Sequence, residues 1–212
     1  MSWFARYLRS SVGAKHVMAV TGLLMLLFAI IHMIGHLQMF GGRILYNNYA
    51  NFLQRLWEVK WPVRAILLGL LVLHVVLAIG LVAKNRAARA VSYAVYRPQR
   101  SSIIGRSMAI SGIVIFAFLI FHIIHFTIAP SIEHDTYTMF VTAFQQPLYY
   151  VLYLVGIGML AAHLGHGATS WLMSLGWRHP KYPADRFGAP IAVLLFLGYM
   201  LPPTAVLVGV IR

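Results

Sequence analysis

The sequence has no cysteine and very few acidic residues. Without cysteine, the chain itself forms no disulfide bonds and ligates no iron–sulfur cluster. Asp and Glu number 4 among 212 residues, and charged residues make up 10% of the chain. A soluble domain carries about a quarter charged residues. This deficit excludes a soluble globular protein, because most of the chain has too little charge to face water.

Apolar and basic residues are present instead. Hydrophobic residues make up 60% of the chain, and the mean hydropathy is +0.77. The formal net charge is +13, which in a soluble protein would suggest nucleic-acid binding. Here the Lys and Arg residues lie in short segments between long apolar runs. We therefore expect a membrane protein with no nucleic-acid partner.

Five apolar segments are long enough to cross a bilayer, which takes roughly 20 residues of helix. They cover residues 17–40, 63–83, 108–129, 148–175 and 189–211. Five prolines are expected to mark helix ends, where a missing N–H does little harm: Pro62, Pro130, Pro147, Pro180 and Pro190. The predicted fold class is all-α: an integral membrane bundle of five transmembrane helices, with residues 1–212 forming one membrane domain.

The connections between the spans differ in charge, which predicts the orientation of the chain. One side carries twelve Lys and Arg residues: Arg6, Arg9, Lys15, Lys84, Arg86, Arg89, Arg97, Arg100, Arg106, Arg178, Lys181 and Arg186. The other side carries five, Arg43, Arg55, Lys60, Arg64 and Arg212, together with the acids Glu133 and Asp135. We expect the N-terminus in the cytoplasm and the C-terminus outside. The basic start has no cleavage-like site, so no cleaved signal peptide is expected.

Seven of the ten histidines lie within the predicted spans: His32, His36, His74, His122, His125, His163 and His166. An ionisable side chain in the bilayer is costly and by default indicates function. For any single histidine, a hydrogen bond to a neighbouring helix remains an equal alternative. His16, His134 and His179 lie at membrane edges or in connections, and we expect no specific role for them.

An internal repeat distinguishes these histidines. Nine apolar residues separate Thr21-Gly22 from His32, and nine separate Ser111-Gly112 from His122. The two histidines are 90 residues apart. Such spacing indicates two related helical hairpins, as weak internal symmetry does in other membrane proteins.

The second helix of each hairpin follows the same repeat. Each has a glycine five residues before its histidine, and His163 follows His74 by 89 residues. Shifted by the same offsets, the remaining three histidines have no histidine counterpart. We expect hydrogen-bonding or site-lining roles for those three: His36, His125 and His166.

Helix direction sorts the four repeated histidines by depth. In the outward-running first and third spans, the histidine lies roughly 21–22 Å from the cytoplasmic edge at the helical rise. In the inward-running second and fourth spans, it lies nearer the cytoplasmic end. His32 and His122 are thus predicted to share the outer half of the bilayer, as the outer pair. His74 and His163 share the inner half, as the inner pair.

Two histidines without a carboxylate or thiolate are incomplete for structural zinc, which takes four ligands. They are complete for haem, whose porphyrin leaves two axial positions open. Small residues in the spans would leave room for a flat macrocycle or serve ordinary helix packing, and both readings stay open. These residues are Gly22, Gly35, Gly69, Gly112, Gly156, Gly158, Ala161 and Ala162.

A different class, the membrane di-iron oxygenases and desaturases, also carries histidine-rich motifs. His32 and His36 form an HxxxH motif, and two HxxH motifs follow it. That chemistry requires the histidines to converge on one membrane face. Their distribution over two depths, with almost no carboxylates, disfavours it.

The chain resembles the dihaem cytochrome b membrane anchor of succinate:quinone oxidoreductases and fumarate reductases, in the single-subunit, five-helix form. The resemblance covers nearly the whole chain. It rests on Thr21-Gly22 with His32-Met-Ile-Gly, His74 with Ala83-Lys-Asn-Arg-Ala-Ala-Arg89, Arg106 with Ser111-Gly112 and His122-Ile-Ile-His-Phe126, and His163-Leu-Gly-His-Gly with Ser170-Trp and Leu175-Gly176.

The resemblance implies two haem b groups, a distal one on His32 and His122 and a proximal one on His74 and His163. It also implies a flavoprotein subunit with FAD and an iron–sulfur subunit, both docked on the cytoplasmic side of a bacterial inner membrane. Electrons would pass through this chain to or from a quinone, expected to be menaquinone, in respiratory complex II of the tricarboxylic acid cycle. The chain itself would not act on succinate or fumarate. The haem b anchor of another oxidoreductase, such as a formate dehydrogenase or hydrogenase, remains an alternative.

A quinone site is expected near the outer haem, at the outer ends of the first two spans. The segment from Tyr46 to Trp57 is rich in aromatic and amide side chains and suits an interfacial helix. Glu58, Gln54 and His36 are the candidate residues, although a solvated interfacial role for Glu58 is the stronger alternative.

Overall fold

A computed structural model describes residues 2, 3, 6, 7, 10–88, 103–128, 135–176 and 185–212, without the side chains of residues 103, 104, 185 and 186. In these residues the only regular structure is helical. Several residues named above lie outside the described residues: Arg9, Arg89, Arg97, Arg100, Ala129, Glu133, His134, Arg178, His179 and Lys181.

The described chain forms seven helices longer than one turn. They are α1 (Ser11–Leu37), α2 (Gly42–Arg55), α3 (Trp57–Ala87), α4 (Met108–Ile123), α5 (Thr136–Phe144), α6 (Pro147–Ser174) and α7 (Asp185–Leu207). A 3₁₀ turn, Gln38–Gly41, joins α1 to α2. A single helical turn, Ile103–Arg106, precedes α4, and a π-helical turn, Ile124–Ile128, follows it.

Five stretches are long and apolar enough to cross a membrane, which confirms the predicted number of spans. They are Ser11–Arg55, Trp57–Ala87, Met108–Ile128, Pro147–Ser174 and Phe187–Leu207. The first two of these stretches begin earlier and extend further than the apolar runs alone predicted, because polar and basic residues at the ends continue the helix. Ser10 begins α1 by accepting a hydrogen bond from the Gly13 backbone N–H at 3.0 Å.

Pro147 begins α6, as predicted, and Pro130 and Pro180 lie outside the described residues. For Pro62 and Pro190, the prediction that they mark helix ends was wrong. Both lie inside helices, Pro62 in α3 and Pro190 in α7. Each is the sixth residue of its helix. A proline there removes only one of the first intrahelical hydrogen bonds, so the helix extends past it at limited cost.

The helices α1, α3, α4 and α6 form a four-cornered bundle. In this bundle α1 packs on α3, α3 on α4, α4 on α6, and α6 back on α1. Consequently α1 stands diagonally opposite α4, and α3 stands diagonally opposite α6. The fifth span, α7, packs outside the square against α1 and α6.

The contact between α6 and α7 is very close. A Cβ atom on Gly165 of α6 would lie 2.5 Å from the carbonyl oxygen of Gly188 of α7. Glycine at both positions lets the two backbones touch, as small residues do in membrane helix pairs. By contrast, α3 has Leu81 as its one buried residue and exposes most of its length.

Two short helices cover one end of the bundle. Helix α2 begins at Gly42, whose φ of 83° favours glycine. Helix α2 then packs on α5, and α5 packs on α6 and α7. Buried aromatic residues fill the space beneath them, among them Tyr46, Phe140, Phe144 and Tyr153. The helical conformation predicted within residues 46–57 is confirmed for residues 46–55, which belong to α2, whereas its interfacial position stays a prediction. Helix α5 was not predicted.

Candidate histidine sites in the bundle

The outer pair meets on one diagonal of the bundle. The ring centroids of His32, from α1, and His122, from α4, are 5.9 Å apart, with an angle of 80° between the ring planes. Two imidazoles bound on opposite sides of one metal ion have centroids roughly 6 Å apart, since each metal–nitrogen bond is about 2 Å. The diagonal placement therefore brings these rings to a separation that suits axial ligation.

His36 lies beside the outer pair and is held by hydrogen bonds. Its Nε2 is 3.2 Å from Nε2 of His32, and its Nδ1 is 2.9 Å from the hydroxyl of Tyr46. The ring of Phe140 lies 5.6 Å from the His36 ring. A metal on Nε2 of His32 would replace the hydrogen bond between the two histidines and leave His36 bonded to Tyr46.

Tyr153 supports the other side of the outer pair. Its hydroxyl is 3.2 Å from Nδ1 of His122 and 3.2 Å from Nδ1 of His125. The tyrosine is buried in α6, while His125 belongs to the π-helical turn after α4. One hydroxyl thus contacts two histidines that are three residues apart in sequence. Nothing in the sequence pattern had indicated a role for Tyr153.

The inner pair lies on the other diagonal, with His74 on α3 and His163 on α6. Each has a hydroxyl partner on a neighbouring helix: Oγ1 of Thr21 is 3.1 Å from Nδ1 of His74, and Oγ of Ser111 is 3.0 Å from Nδ1 of His163. These partners occupy equivalent positions in the repeat.

The glycines that follow these hydroxyl residues lie against the same imidazoles. A Cβ on Gly22 would lie 3.3 Å from Cε1 of His74, and a Cβ on Gly112 would lie 4.0 Å from Cε1 of His163. Other small residues serve helix packing, since a side chain on Gly156 would overlap Phe118 and one on Gly35 would press on Tyr49. Close helix packing, one of the two uses that the sequence left open, therefore occurs at these positions, and room for a macrocycle stays a prediction.

The histidine-rich segment of α6 also contains His166, one turn beyond His163. His166 is half-buried, and its backbone carbonyl accepts a hydrogen bond from Oγ1 of Thr169 at 2.9 Å. No counterpart of the Thr21 and Ser111 contacts is present for its ring among the described hydrogen bonds.

The quinone candidates fall into two groups. Glu58 and Gln54 are exposed at the corner between α2 and α3, where the backbone carbonyl of Gln54 accepts a hydrogen bond from Lys60. No described hydrogen bond or ion pair joins either side chain to a histidine. His36 lies directly beside the outer pair, beneath α2.

Polar contacts fasten α2 to α5 above the outer pair. Asp135 caps α5, forms an ion pair with Arg43, and accepts a hydrogen bond from Nδ2 of Asn47 at 2.9 Å. The Thr138 hydroxyl and backbone N–H donate to the same carboxylate and, with Asn47 and Arg43, hold the pKa of Asp135 well below its ordinary value. The carboxylate is therefore charged at neutral pH and links the two short helices.

The described histidine sites offer few metal ligands. Within the described residues, no group of three His, Asp or Glu side chains converges to hold a metal ion. A di-iron centre, which needs several such ligands on the protein, has no matching cluster there. Paired histidines on diagonal helices fit a metal cofactor that supplies its other ligands itself, as haem does.

No family model, no curated protein and no solved structure matches this chain.

Proposed function

We propose that this chain is a dihaem cytochrome b of a bacterial cytoplasmic membrane, the anchor subunit of a succinate:quinone oxidoreductase or fumarate reductase. One observation carries the proposal: four repeat-related histidines lie on the four helices of one bundle, with His32 and His122 close together on one diagonal and the hydroxyl-bonded His74 and His163 on the other. His32 and His122 would hold the distal haem, and His74 and His163 the proximal haem. Each haem would supply reversible one-electron chemistry.

The protein's own contribution is to present imidazole nitrogens inside an apolar bundle. Thr21 and Ser111 contact Nδ1 of the inner histidines, which leaves their Nε2 atoms to face a ligand. Tyr153 contacts Nδ1 of His122 in the same way. A hydrogen bond at the far nitrogen orients a ligating histidine and makes it more basic.

The quinone is proposed to react near the outer pair. Of the three candidates, His36 is supported best, because it lies between His32 and the buried hydroxyl of Tyr46. That arrangement can hold a proton on Nδ1 or Nε2 of His36, next to the proposed distal haem. Glu58 and Gln54 remain predictions based on their position in the sequence.

The partner subunits are proposed to dock on the side of the N-terminus, which is proposed to be cytoplasmic because most Lys and Arg residues fall there. An iron–sulfur subunit on that side would lie nearer the haem held by the inner pair than the haem held by the outer pair, so the inner haem would be the first in the electron route. A flavoprotein subunit with FAD would complete the route from succinate.

The test is a haem determination on the purified chain, followed by reduction of the purified complex. We expect two b haems per chain, and we expect succinate, but neither formate nor hydrogen, to reduce them. A flavoprotein with covalent FAD should copurify. A chain that binds no haem would refute the cytochrome assignment. Two haems that are reduced only by formate or hydrogen would refute the assignment to a succinate:quinone oxidoreductase.

A further inference from the structure

Two buried hydroxyl groups, one from each half of the repeat, contact the inner histidines. Thr21 and Ser111 are 3% and 4% exposed, so water does not compete for their hydroxyl groups. They are 90 residues apart, the same offset that relates His32 to His122. The contact thus occurs twice, at equivalent places, on two different pairs of helices.

Each hydroxyl donates its single hydrogen to a backbone carbonyl three residues earlier in the same helix. Oγ1 of Thr21 donates to the Met18 carbonyl at 3.0 Å, and Oγ of Ser111 donates to the Met108 carbonyl at 3.1 Å. A carbonyl oxygen only accepts, so the hydroxyl must be the donor in these bonds. Toward the imidazole, the hydroxyl oxygen can then offer only a lone pair.

With the hydroxyl hydrogen on the carbonyl, the hydrogen between hydroxyl and imidazole belongs to the histidine. Nδ1 of His74 and of His163 carries hydrogen, and Nε2 of each ring keeps its lone pair. That tautomer is the one in which Nε2 can bind a metal. The same argument does not fix the tautomer of His122, because the Tyr153 hydroxyl contacts Nδ1 of both His122 and His125.

We infer that Thr21 and Ser111 are positioning residues of the inner site, which lock both of its histidines in the tautomer that ligates through Nε2. The inference rests on the proposed function for the identity of the ligand, a haem. Both residues act through a histidine and touch no cofactor themselves. The hydrogen bond they accept raises the basicity of the ligand and so favours oxidised iron.

The variants Thr21→Val and Ser111→Ala remove the hydroxyl with little change of volume. We expect each to weaken binding of the inner haem roughly 10- to 100-fold, the usual effect of losing such a partner. The midpoint potential of that haem should rise, while the potential of the outer haem stays the same. Thr21→Ser and Ser111→Thr keep the hydroxyl and should restore both properties.

Thr169→Val is the matched control. Thr169 is buried, and its hydroxyl also donates to a carbonyl three residues back, but that hydroxyl contacts no histidine ring in the described structure. This variant loses the same kind of hydrogen bond to a backbone carbonyl and should leave the affinities and midpoint potentials of both haems unchanged. If Thr21→Val and Ser111→Ala match Thr169→Val in haem affinity and potential, the inference is overturned.

A second measurement separates this inference from the proposed function. ¹⁵N NMR of the haem-free chain, labelled at histidine, reports which ring nitrogen carries hydrogen. We expect the Nδ1–H tautomer for His74 and His163, and its loss in Thr21→Val and Ser111→Ala, respectively. The Nε2–H tautomer in the unsubstituted chain would overturn the inference. A chain with the expected tautomers that takes up no haem would instead refute the proposed function alone.

Discussion

Close to the outer pair, Gly156 packs so tightly against Phe118 that a single added methyl group would disrupt the contact. A Cβ on Gly156 of α6 would lie 2.6 Å from Cε2 of Phe118 and closer still to two other ring carbons. Carbon atoms in contact normally stay about 3.5–4.0 Å apart. Gly156→Ala should therefore push the ring by about 1 Å or more. That ring packs edge-on against Tyr153 at 5.2 Å and lies 6.2 Å from the His122 ring.

The size of the effect follows from a matched substitution on the same helix. Overpacking of this kind costs about 1–3 kcal/mol. Alanine also stabilises a helix relative to glycine, by about 0.5–1 kcal/mol. Gly167→Ala gains that second contribution alone, because no atom lies within 4 Å of its Cβ position. The helix contribution cancels between the two variants, so their free energies of unfolding should differ by about 1–3 kcal/mol.

The assay is reversible unfolding in mixed micelles, with helix content followed by circular dichroism as the denaturing detergent increases. Gly156→Ala should unfold at a lower detergent fraction than Gly167→Ala. Phe118→Leu in the Gly156→Ala background should recover part of the loss, since the smaller side chain can move aside. Equal stability of the two alanine variants would refute the close packing of α4 on α6.

Three further predictions concern residues around the sites. Tyr153→Phe removes the hydroxyl at Nδ1 of His122 and should weaken binding of the outer haem roughly 10-fold, as measured by haem titration. An unchanged affinity for the outer haem would contradict this role of Tyr153. Asp135 has a depressed pKa, so its charge stabilises the fold above the ordinary value of 3.8, and that stability is lost as pH falls below it. Thermal unfolding below that pH should therefore be less pH-dependent in Asp135→Asn than in the unsubstituted protein, and identical pH profiles would argue against the link. Gly22→Ala should lower the occupancy of the inner haem, because its Cβ would lie only 3.3 Å from Cε1 of His74. Gly112→Ala should not, because its Cβ would lie 4.0 Å from Cε1 of His163. Equal inner-haem occupancy in the two variants would contradict a role for the distance between these glycines and the imidazoles.

The number of spans was predictable because a bilayer imposes a length on every apolar helix. Helix ends were less predictable, since hydropathy reports where lipid contacts the chain and not where the helix begins. Pro62 illustrates this, because it lies inside α3 although the apolar run begins after it. Helix α5 was missed because Thr136–Phe144 is too short for a span, and its stability depends on packing against α2, α6 and α7.

The proximity of His32 and His122 agrees with the pairing predicted from the repeat and from depth along antiparallel helices, and the pairing of His74 with His163 stays a prediction. The hydrogen-bond partners of these histidines could not be predicted, because partners depend on which face each helix turns inward. A depth count could have found Tyr153: it is the seventh residue of α6, and His122 is six residues before Ile128, where the described third span ends. Thr21 and Ser111 were visible as repeat positions, but their contacts required the structure.

The pairing of the four histidines is tested most directly by counting haems in double variants. His32→Gln and His74→Gln should each lose one of two haems. If the pairs are as proposed, His32→Gln with His122→Gln should still lose only one, because both residues serve the same haem. His32→Gln with His74→Gln should lose both. The opposite result, with two haems lost in the first double variant and one in the second, would contradict the diagonal pairing and the electron route built on it.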